Sequence, residues 1–184
     1  MSKVLAYIAD GMEEVECLSV VDMLRRGGVE VQLVSVNGKM EVTGAHNIRV
    51  GADCLLEASD PDSADLLFLP GGMPGTTHLR ESEGVCAALR KAAADGRRLA
   101  AICAAPSVLG ELGLLEGKKA TCYPGFEGQL LGASYTHEGV VTDGNITTAR
   151  GVGFAIDLGL ELLRVLKGEK PAEEIKAAIQ HPES

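Results

Sequence analysis

The sequence has few of the side chains that proteins use to stack against bases or sugar rings. Among its 184 residues there is no tryptophan, and there are only three tyrosines and three phenylalanines. Lysine and arginine never occur more than two in a row, and 17 basic against 26 acidic residues give a net charge of −9. These absences argue against a nucleic acid or an anionic membrane surface as the main partner.

Segments that direct a chain into or across a membrane are also missing from the pattern. The apolar run at residues 3–9 is too short for a signal peptide, and no segment approaches eighteen apolar residues. The five cysteines are odd in number and contain no C-x-x-C pair, which excludes a disulfide framework or a zinc motif of that kind. We therefore expect a cytoplasmic protein that uses no metal and no cofactor.

Apolar strands alternate with helical segments along the chain. Strands are predicted at residues 3–9, 29–36, 65–69 and 98–102, a small hairpin at 41–50, and helices at 82–95, 151–166 and 171–179. This order predicts one α/β domain over residues 1–184, with a mainly parallel sheet and helices on both faces. Ligands bind such sheets at the carboxyl ends of the strands, which points to loops 10–16, 70–75 and 102–106.

Cys103 directly follows the strand at residues 98–102 and has alanine two positions away on each side. The pattern is typical of a nucleophile elbow, a strained turn from strand to helix that leaves no room for larger neighbours. The sulfur then faces the N-terminus of the next helix, whose partial positive charge favours the thiolate. The competing interpretation is a buried cysteine that packs as a small hydrophobic residue. Its place at the end of a central strand favours the nucleophile.

Two further loops carry groups that assist such a cysteine. The turn Pro70-Gly71-Gly72 can offer backbone N–H groups to a developing oxyanion, although an ordinary glycine turn explains it equally well. Of Glu13, Glu14 and Glu16, at least two are expected only to complement the N-terminus of the first helix. A carboxyl group that faces the thiolate would instead be pushed toward its protonated form and could act as general acid and base.

Four motifs taken together resemble the ThiJ/PfpI superfamily, and most closely its parkinsonism-associated deglycase branch. They are Asp-Gly-Met-Glu-Glu-Val-Glu at 10–16, Leu-Pro-Gly-Gly at 69–72, Ala-Ile-Cys-Ala-Ala-Pro at 101–106 and Ala-Arg-Gly-Val-Gly at 149–153. Each motif alone is weak, but their order and spacing cover nearly the whole chain.

The resemblance implies a flavodoxin-like three-layer sandwich that forms a homodimer. It also implies an oxidation-prone nucleophile at Cys103, a protonated partner at Glu16, and oxyanion donors in the backbone N–H groups of Gly72 and Ala104. Activities attributed to this branch are cofactor-free conversion of methylglyoxal or glyoxal to hydroxy acids, repair of early glycation adducts, redox sensing and holdase chaperoning. Small aldehydes or glycated adducts are therefore the expected partners.

Two departures from related patterns refine the expectation. Ala104 stands where the peptidase branch has a histidine, which argues against proteolysis. Tyr123 stands where many deglycases have a pocket histidine, which leaves Glu16 as the expected base. Two hypotheses remain open: a cysteine enzyme acting on α-oxoaldehydes, and a redox-responsive protection protein without turnover. A kinase or transferase of thiamine metabolism lacks support, because the chain has no nucleotide-binding motif.

Overall fold

The computed structural model describes residues 2–182, so Met1, Glu183 and Ser184, which the domain prediction includes, lie outside the described part. The strands are β1 (Lys3–Ile8), β2 (Glu30–Ser35), β3 (Glu41–Thr43), β4 (Arg49–Gly51), β5 (Cys54–Leu55), β6 (Leu66–Leu69), β7 (Arg98–Ile102), β8 (Lys119–Ala120), β9 (Ser134–Tyr135), β10 (Val140–Asp143) and β11 (Ile146–Ala149). The helices are α1 (Glu14–Arg26), α2 (Gly75–Glu81), α3 (Glu83–Ala94), α4 (Pro106–Glu111), α5 (Ala155–Lys167) and α6 (Glu169–Ala178).

Seven strands form one sheet in the order β10-β11-β7-β6-β1-β2-β5. Every neighbouring pair is parallel except β10 and β11, which form an antiparallel hairpin at one edge. The short pairs β3–β4 and β8–β9 lie apart from this sheet. The prediction of a flavodoxin-like α/β fold with a mainly parallel sheet is confirmed.

Both faces of the sheet are buried, which explains why its strands are apolar without alternation. In β1, Val4, Ala6 and Ile8 join a core with α1, α5 and α6, whereas Leu5 and Tyr7 join the opposite core with α2, α3 and α4. Successive side chains of a strand point to opposite faces, so one apolar run supplies both cores. The three-layer arrangement follows directly from this packing.

Helices α1 and α5 pack closely because glycine replaces a side chain at their crossing. A Cβ at Gly159 would lie 2.7 Å from the Cβ of Met23, closer than real Cβ atoms approach. This packing fixes the direction of α1 relative to the sheet. The orientation of α1 in turn determines where its first residues, including Glu16, can reach.

Two helical predictions need correction. The segment predicted as a helix over 151–166 begins as a 3₁₀ turn at Val152–Phe154, and the α-helix starts only at Ala155, because Gly151 is fully extended at φ 167°. Residues 76–81, for which no element was predicted, form α2 together with Gly75. Their glycine and threonines favour helix weakly, and burial of Thr76 and Leu79 stabilises the turn in its place.

No helix among residues 2–182 is both long enough and apolar enough to span a bilayer.

Candidate active site

The three loops predicted to carry chemistry meet at the middle of the sheet. β6 lies between β1 and β7, whereas the chain runs from β1 to β2 on the other side of β1. The connections therefore diverge between β1 and β6, and a crevice opens there at the carboxyl ends of the strands. The loops after β1, β6 and β7 bring Glu16, Gly72 and Cys103 to this crevice, as the sequence predicted.

Cys103 forms the elbow in the predicted conformation. Its φ is +64°, in the left-handed region that costs a non-glycine residue about 1 kcal/mol or more. The strain is held by the backbone on both sides: the Cys103 N–H donates to the carbonyl of Ala149 (2.9 Å), and the Cys103 carbonyl accepts from the N–H of Tyr123 (2.8 Å). The side chain is half-buried. The turn thus presents the sulfur at the crevice rather than in the core.

Glu16 is the acidic residue that faces the sulfur. Its carboxyl group lies close enough to the Cys103 thiol for the two groups to shift each other's pKa, and the residue is only 1% exposed. The Gly71 N–H donates to Glu16 Oε2 at 3.0 Å, and the Gly71 carbonyl accepts from the Glu13 N–H at 2.9 Å. The glycine loop therefore holds the carboxyl group against the elbow through backbone hydrogen bonds.

The backbone N–H groups of Gly72 and Ala104 lie beside the Cys103 sulfur, and their role as oxyanion donors stays a prediction. Both N–H groups act to lower the pKa of Cys103. Gly72 adopts φ +88°, and a Cβ there would collide with the backbone of Met12 and Glu13. Only glycine lets this loop lie so close to the start of α1 while aiming its N–H at the sulfur.

The sulfur and the carboxyl group titrate as a coupled pair. Burial raises the pKa of Glu16 to about 7, and the Glu13 charge adds to this. Burial, followed by the charge of Glu16, raises the pKa of Cys103 to about 12, although the N–H groups of Gly72 and Ala104 act to lower it. The prediction of a lowered thiol pKa is therefore wrong in net direction. The thiolate forms when the thiol proton moves to Glu16.

Glu14, a neighbour of Glu16 on α1, has a different role. Its carboxylate is 2% exposed and accepts hydrogen bonds from the backbone N–H (2.7 Å) and ring Nδ1 (2.9 Å) of His46, and from the N–H of Ile48 (3.4 Å). Burial acts to raise the pKa of Glu14, but these hydrogen bonds outweigh it and the pKa is lowered. Glu14 thus anchors the tip of the β3–β4 hairpin to α1, a structural role of the kind expected for two of the three glutamates.

Glu13, Glu14 and His46 bring one ligand atom each within 4.8 Å of one another, which is the spacing of a candidate cation site. The oxygens of Glu14 are already used by the hairpin hydrogen bonds, and Glu13 Oε2 lies 3.3 Å from the same His46 nitrogen. The three side chains satisfy one another as an ion pair. We therefore assign the group to the hairpin anchor.

Replacing Glu14 with glutamine should destabilise the protein by about 1–3 kcal/mol, the usual cost of losing charge-assisted hydrogen bonds. The loss should be seen at pH 7 by urea unfolding. A carboxyl group with a lowered pKa stabilises the fold above its unfolded pKa, and this contribution disappears as the pH falls through the folded value. The difference between wild type and Glu14→Gln should therefore shrink in acid. An equal difference at pH 7 and pH 3 would contradict the anchor.

Sequence reasoning did not single out two residues of the site. Gly71 was noted only as part of a turn, yet it lies between the two reacting groups: a Cβ there would lie 2.5 Å from both Cys103 Cβ and Glu16 Oε2. Tyr123 was noted only as a departure from the deglycase pattern, yet its backbone holds the elbow. The Leu-Pro-Gly-Gly motif was a signal for Gly71, but the residues that explain it, Glu16 and Cys103, are far from Gly71 in sequence.

These features define a class of protein: a flavodoxin-like α/β fold with a cysteine elbow and a buried acidic partner. The chain belongs to the DJ-1/PfpI family, which it matches over residues 2–165. It is 32% identical to a deglycase from Pyrococcus abyssi over 167 residues, which are 90% of this chain and 99% of that protein. The family expected from the four sequence motifs is thereby confirmed.

Two other comparisons agree. The chain is 40% identical to protein DJ-1 homolog B of Arabidopsis thaliana over 179 residues; this covers 96% of the chain but only 41% of the plant protein, so it spans about two-fifths of that relative. The solved structure of oxidized Toxoplasma gondii DJ-1 superposes with a TM-score of 0.96 at 36% identity, with both chains fully covered.

Proposed function

We propose that this protein is a cofactor-independent cysteine enzyme acting on α-oxoaldehydes such as methylglyoxal, or on early glycation adducts. The observation that carries the proposal is the pair of Cys103 and Glu16, which meet across Gly71, shift each other's pKa and are flanked by the N–H groups of Gly72 and Ala104. A carboxyl group with a pKa near 7 can both accept and donate a proton at neutral pH. The similarity to the Pyrococcus abyssi deglycase supports the same reaction class.

The first chemical step is addition of sulfur to the aldehyde. The thiol proton moves to Glu16, the thiolate forms a C–S bond to the aldehyde carbon, and the carbonyl electron pair moves to oxygen. The N–H groups of Gly72 and Ala104 stabilise that oxyanion, and Glu16 returns the proton to give a hemithioacetal.

The second step moves a proton between the two substrate carbons. Glu16, now a carboxylate, removes the proton from the carbon bound to sulfur and delivers it to the neighbouring ketone carbon. The hydroxyl proton of the hemithioacetal moves to the ketone oxygen, which leaves a thioester with a hydroxyl group on the next carbon. Water then adds to the thioester carbonyl, and the C–S bond breaks to release the hydroxy acid and regenerate the thiol. The net reaction is methylglyoxal plus water to lactate, with no external oxidant or reductant.

Lactate should therefore appear when the purified protein is mixed with methylglyoxal in the absence of glutathione. Protein whose Cys103 has first been alkylated with iodoacetamide should release none, and peptide mapping must place the label on Cys103. Undiminished release after complete labelling of Cys103 would contradict the proposal. A wild-type protein that consumes no methylglyoxal would favour the second candidate below.

The second candidate is a redox sensor. A half-buried sulfur beside the N–H groups of Gly72 and Ala104 is also a favourable site for the oxygens of a sulfinate, which peroxide forms from the thiolate. A related DJ-1 from Toxoplasma gondii has been solved in oxidized form. Turnover separates the two candidates, because the enzyme releases lactate continuously, whereas the sensor releases none and consumes two equivalents of peroxide at Cys103 to reach the sulfinate.

We also propose that the protein is a cytoplasmic homodimer. Five free cysteines suit a reducing compartment. Exposed Val15 and Leu18 on α1, Ile48 on the adjacent hairpin and Ile156 on α5 are the apolar side chains that a second copy would cover. Light scattering at micromolar concentration should give twice the 19.2 kDa mass of one chain. A mass of one chain would contradict the dimer and leave the active-site proposal unaffected.

A further inference from the structure

The tip of the β3–β4 hairpin carries an ionisable group that the mechanism above does not use. The ring Nδ1 of His46 lies 2.9 Å from Oε2 of Glu14 and 3.3 Å from Oε2 of Glu13. The side chain of His46 is 66% exposed, whereas those of Glu13 and Glu14 are 16% and 2% exposed. One imidazole ring in contact with solvent therefore faces two carboxyl groups that are largely shielded from it.

The position of His46 is fixed by the way the hairpin is attached to the start of α1. The Ala45 N–H donates to the Met12 carbonyl at 2.8 Å, and the His46 N–H donates to Glu14 Oε1 at 2.7 Å. The hairpin backbone lies so close that a Cβ at Gly44 would collide with the Glu14 carboxyl group. The histidine ring is therefore held beside the helix that carries Glu16.

A short hydrogen-bonded path connects this cluster to the reacting pair. The Glu13 N–H donates to the Gly71 carbonyl at 2.9 Å, and the Gly71 N–H donates to Glu16 Oε2 at 3.0 Å. Burial is the main cause of the raised pKa of Glu16, and the charge of Glu13 adds to it. Burial and then the charge of Glu16 raise the pKa of Cys103. A charge at the hairpin tip therefore influences both reacting groups.

His46 changes its charge near neutral pH, where the pair also ionises. The hydrogen bond to Glu14 and then the charge of Glu13 raise the pKa of His46 above its ordinary value. Glu14 stays ionised, because its hydrogen bonds outweigh burial and lower its pKa. With two carboxylates, the three side chains have a net charge of −1 when His46 is protonated and −2 when it is neutral.

Other ionisable side chains near the cluster have partners of their own or are enclosed. They are Asp10, Cys17, Glu41, Arg49 and His78. Asp10 accepts from the Thr43 N–H at 2.8 Å, and His78 Nδ1 lies 2.9 Å from the Asp10 carbonyl oxygen. Arg49 pairs with Glu41 at 3.5 Å, and Cys17 is fully buried. Among residues 2–182, the carboxyl groups within 4.0 Å of the His46 ring are those of Glu13 and Glu14.

We propose that His46 controls the pH at which the pair of Cys103 and Glu16 loses its first proton, so that protonated His46 keeps Cys103 reactive in mildly acidic solution. A net charge of −2 at the hairpin tip opposes a new negative charge on the pair more than −1 does. Because His46 loses its proton while the pair ionises, the pair titrates over a wider pH range than a single group. The inference rests on the proposed function for the identity of the pair, but its test measures alkylation rather than lactate.

The rate of Cys103 alkylation by iodoacetamide, assigned by peptide mapping from pH 5.5 to pH 8.5, tests the inference. At pH 6 wild type should react about two- to fourfold faster than His46→Gln, which still offers an N–H to Glu14 but carries no charge. The two rates should converge by pH 8.5, where His46 is neutral as well. His46→Lys is charged over the whole range, so it should match wild type at pH 6 and reach its half-maximal rate at the lowest pH of the three proteins.

His137→Gln is the matched control, because His137 is exposed and its ring lies 3.4 Å from the Tyr135 hydroxyl. This variant should keep the wild-type curve. In 1 M sodium chloride the difference between wild type and His46→Gln at pH 6 should shrink, because salt screens exposed charges.

A hairpin that is merely loosened by the substitution would change alkylation equally at pH 6 and pH 8.5, would respond little to salt and would not be restored by lysine. That result would overturn the inference, and so would a His46→Gln curve that coincides with that of wild type. The expected curves in a wild-type protein that releases no lactate would contradict the proposed function and support the inference.

Discussion

Glutathione-free turnover of methylglyoxal should fall by about 10²–10⁴-fold when Glu16 is replaced with glutamine, the range that a general acid–base group contributes. Glutamine fits the same space and still offers an N–H to the sulfur, but it cannot exchange a proton between substrate carbons. Cys103 should remain open to alkylation by iodoacetamide, because the substitution removes a neighbouring negative charge that raises its pKa. The variant therefore distinguishes loss of proton transfer between the substrate carbons from loss of thiol ionisation.

Glu13→Gln is the matched control for this substitution. Glu13 lies at the start of the same helix and affects Glu16 only through its charge, so its loss should change turnover far less. A Glu16→Gln protein that keeps most of its lactate release would falsify the general-base assignment. Turnover lost together with alkylation would instead point to a collapsed site, and near-UV circular dichroism would identify that case.

Wild type and Glu16→Gln should also differ in how their stability depends on pH. The pKa of Glu16 is raised in the fold to about 7, so its ionisation opposes folding. A carboxyl group whose pKa is raised in the fold contributes most to the free energy of unfolding below its unfolded pKa, near 4.5. This contribution is lost as the pH rises through 7. The free energy of unfolding of wild type, measured with urea, should therefore fall between pH 5 and pH 8 relative to that of Glu16→Gln. A constant difference over this range would contradict the buried carboxyl.

Gly71→Ala is expected to abolish turnover, although neither Cys103 nor Glu16 is itself replaced. The new Cβ would meet Cys103 Cβ and Glu16 Oε2 at 2.5 Å and the carbonyl oxygen of Ile102 at 2.8 Å, so the loop must shift away from β7. Displacement by about 1 Å can cost 10²-fold in rate, because the hydrogen-bonded pair loses its alignment. Overpacking of this kind should also cost about 1–3 kcal/mol of stability.

Gly128→Ala provides the comparison for this prediction. Gly128 is also without a positive φ, and a Cβ there would meet no atom within 4 Å. It should keep both lactate release and the midpoint of urea unfolding close to wild type. Turnover by Gly71→Ala within threefold of wild type would show that the glycine loop does not set the distance between sulfur and carboxyl group.

Local pattern was sufficient for the central strands and the elbow. The apolar runs at 3–9 and 98–102 have no polar face, which in a chain of this size leaves only a sheet covered on both sides. Small residues on each side of Cys103 then restrict what turn can follow β7. Where local signals were weak, helices were missed or misplaced. Helix α2 was missed because it has poor helix formers, and α5 was started too early because the 3₁₀ turn before it depends on how Gly151 leaves the sheet.

The sequence by itself determined the order of the elements, the position of Cys103 at a strand end and, through four motifs, the candidates Glu16, Gly72 and Ala104. Without the family resemblance it could not decide which glutamate faces the sulfur, because Glu14 and Glu16 are both buried and only the docked hairpin shows that Glu14 is already satisfied. Nor could it give the direction of the thiol pKa, since desolvation depends on how chain segments far apart in sequence enclose the pair. Burial and charge at a site are properties of the assembled fold.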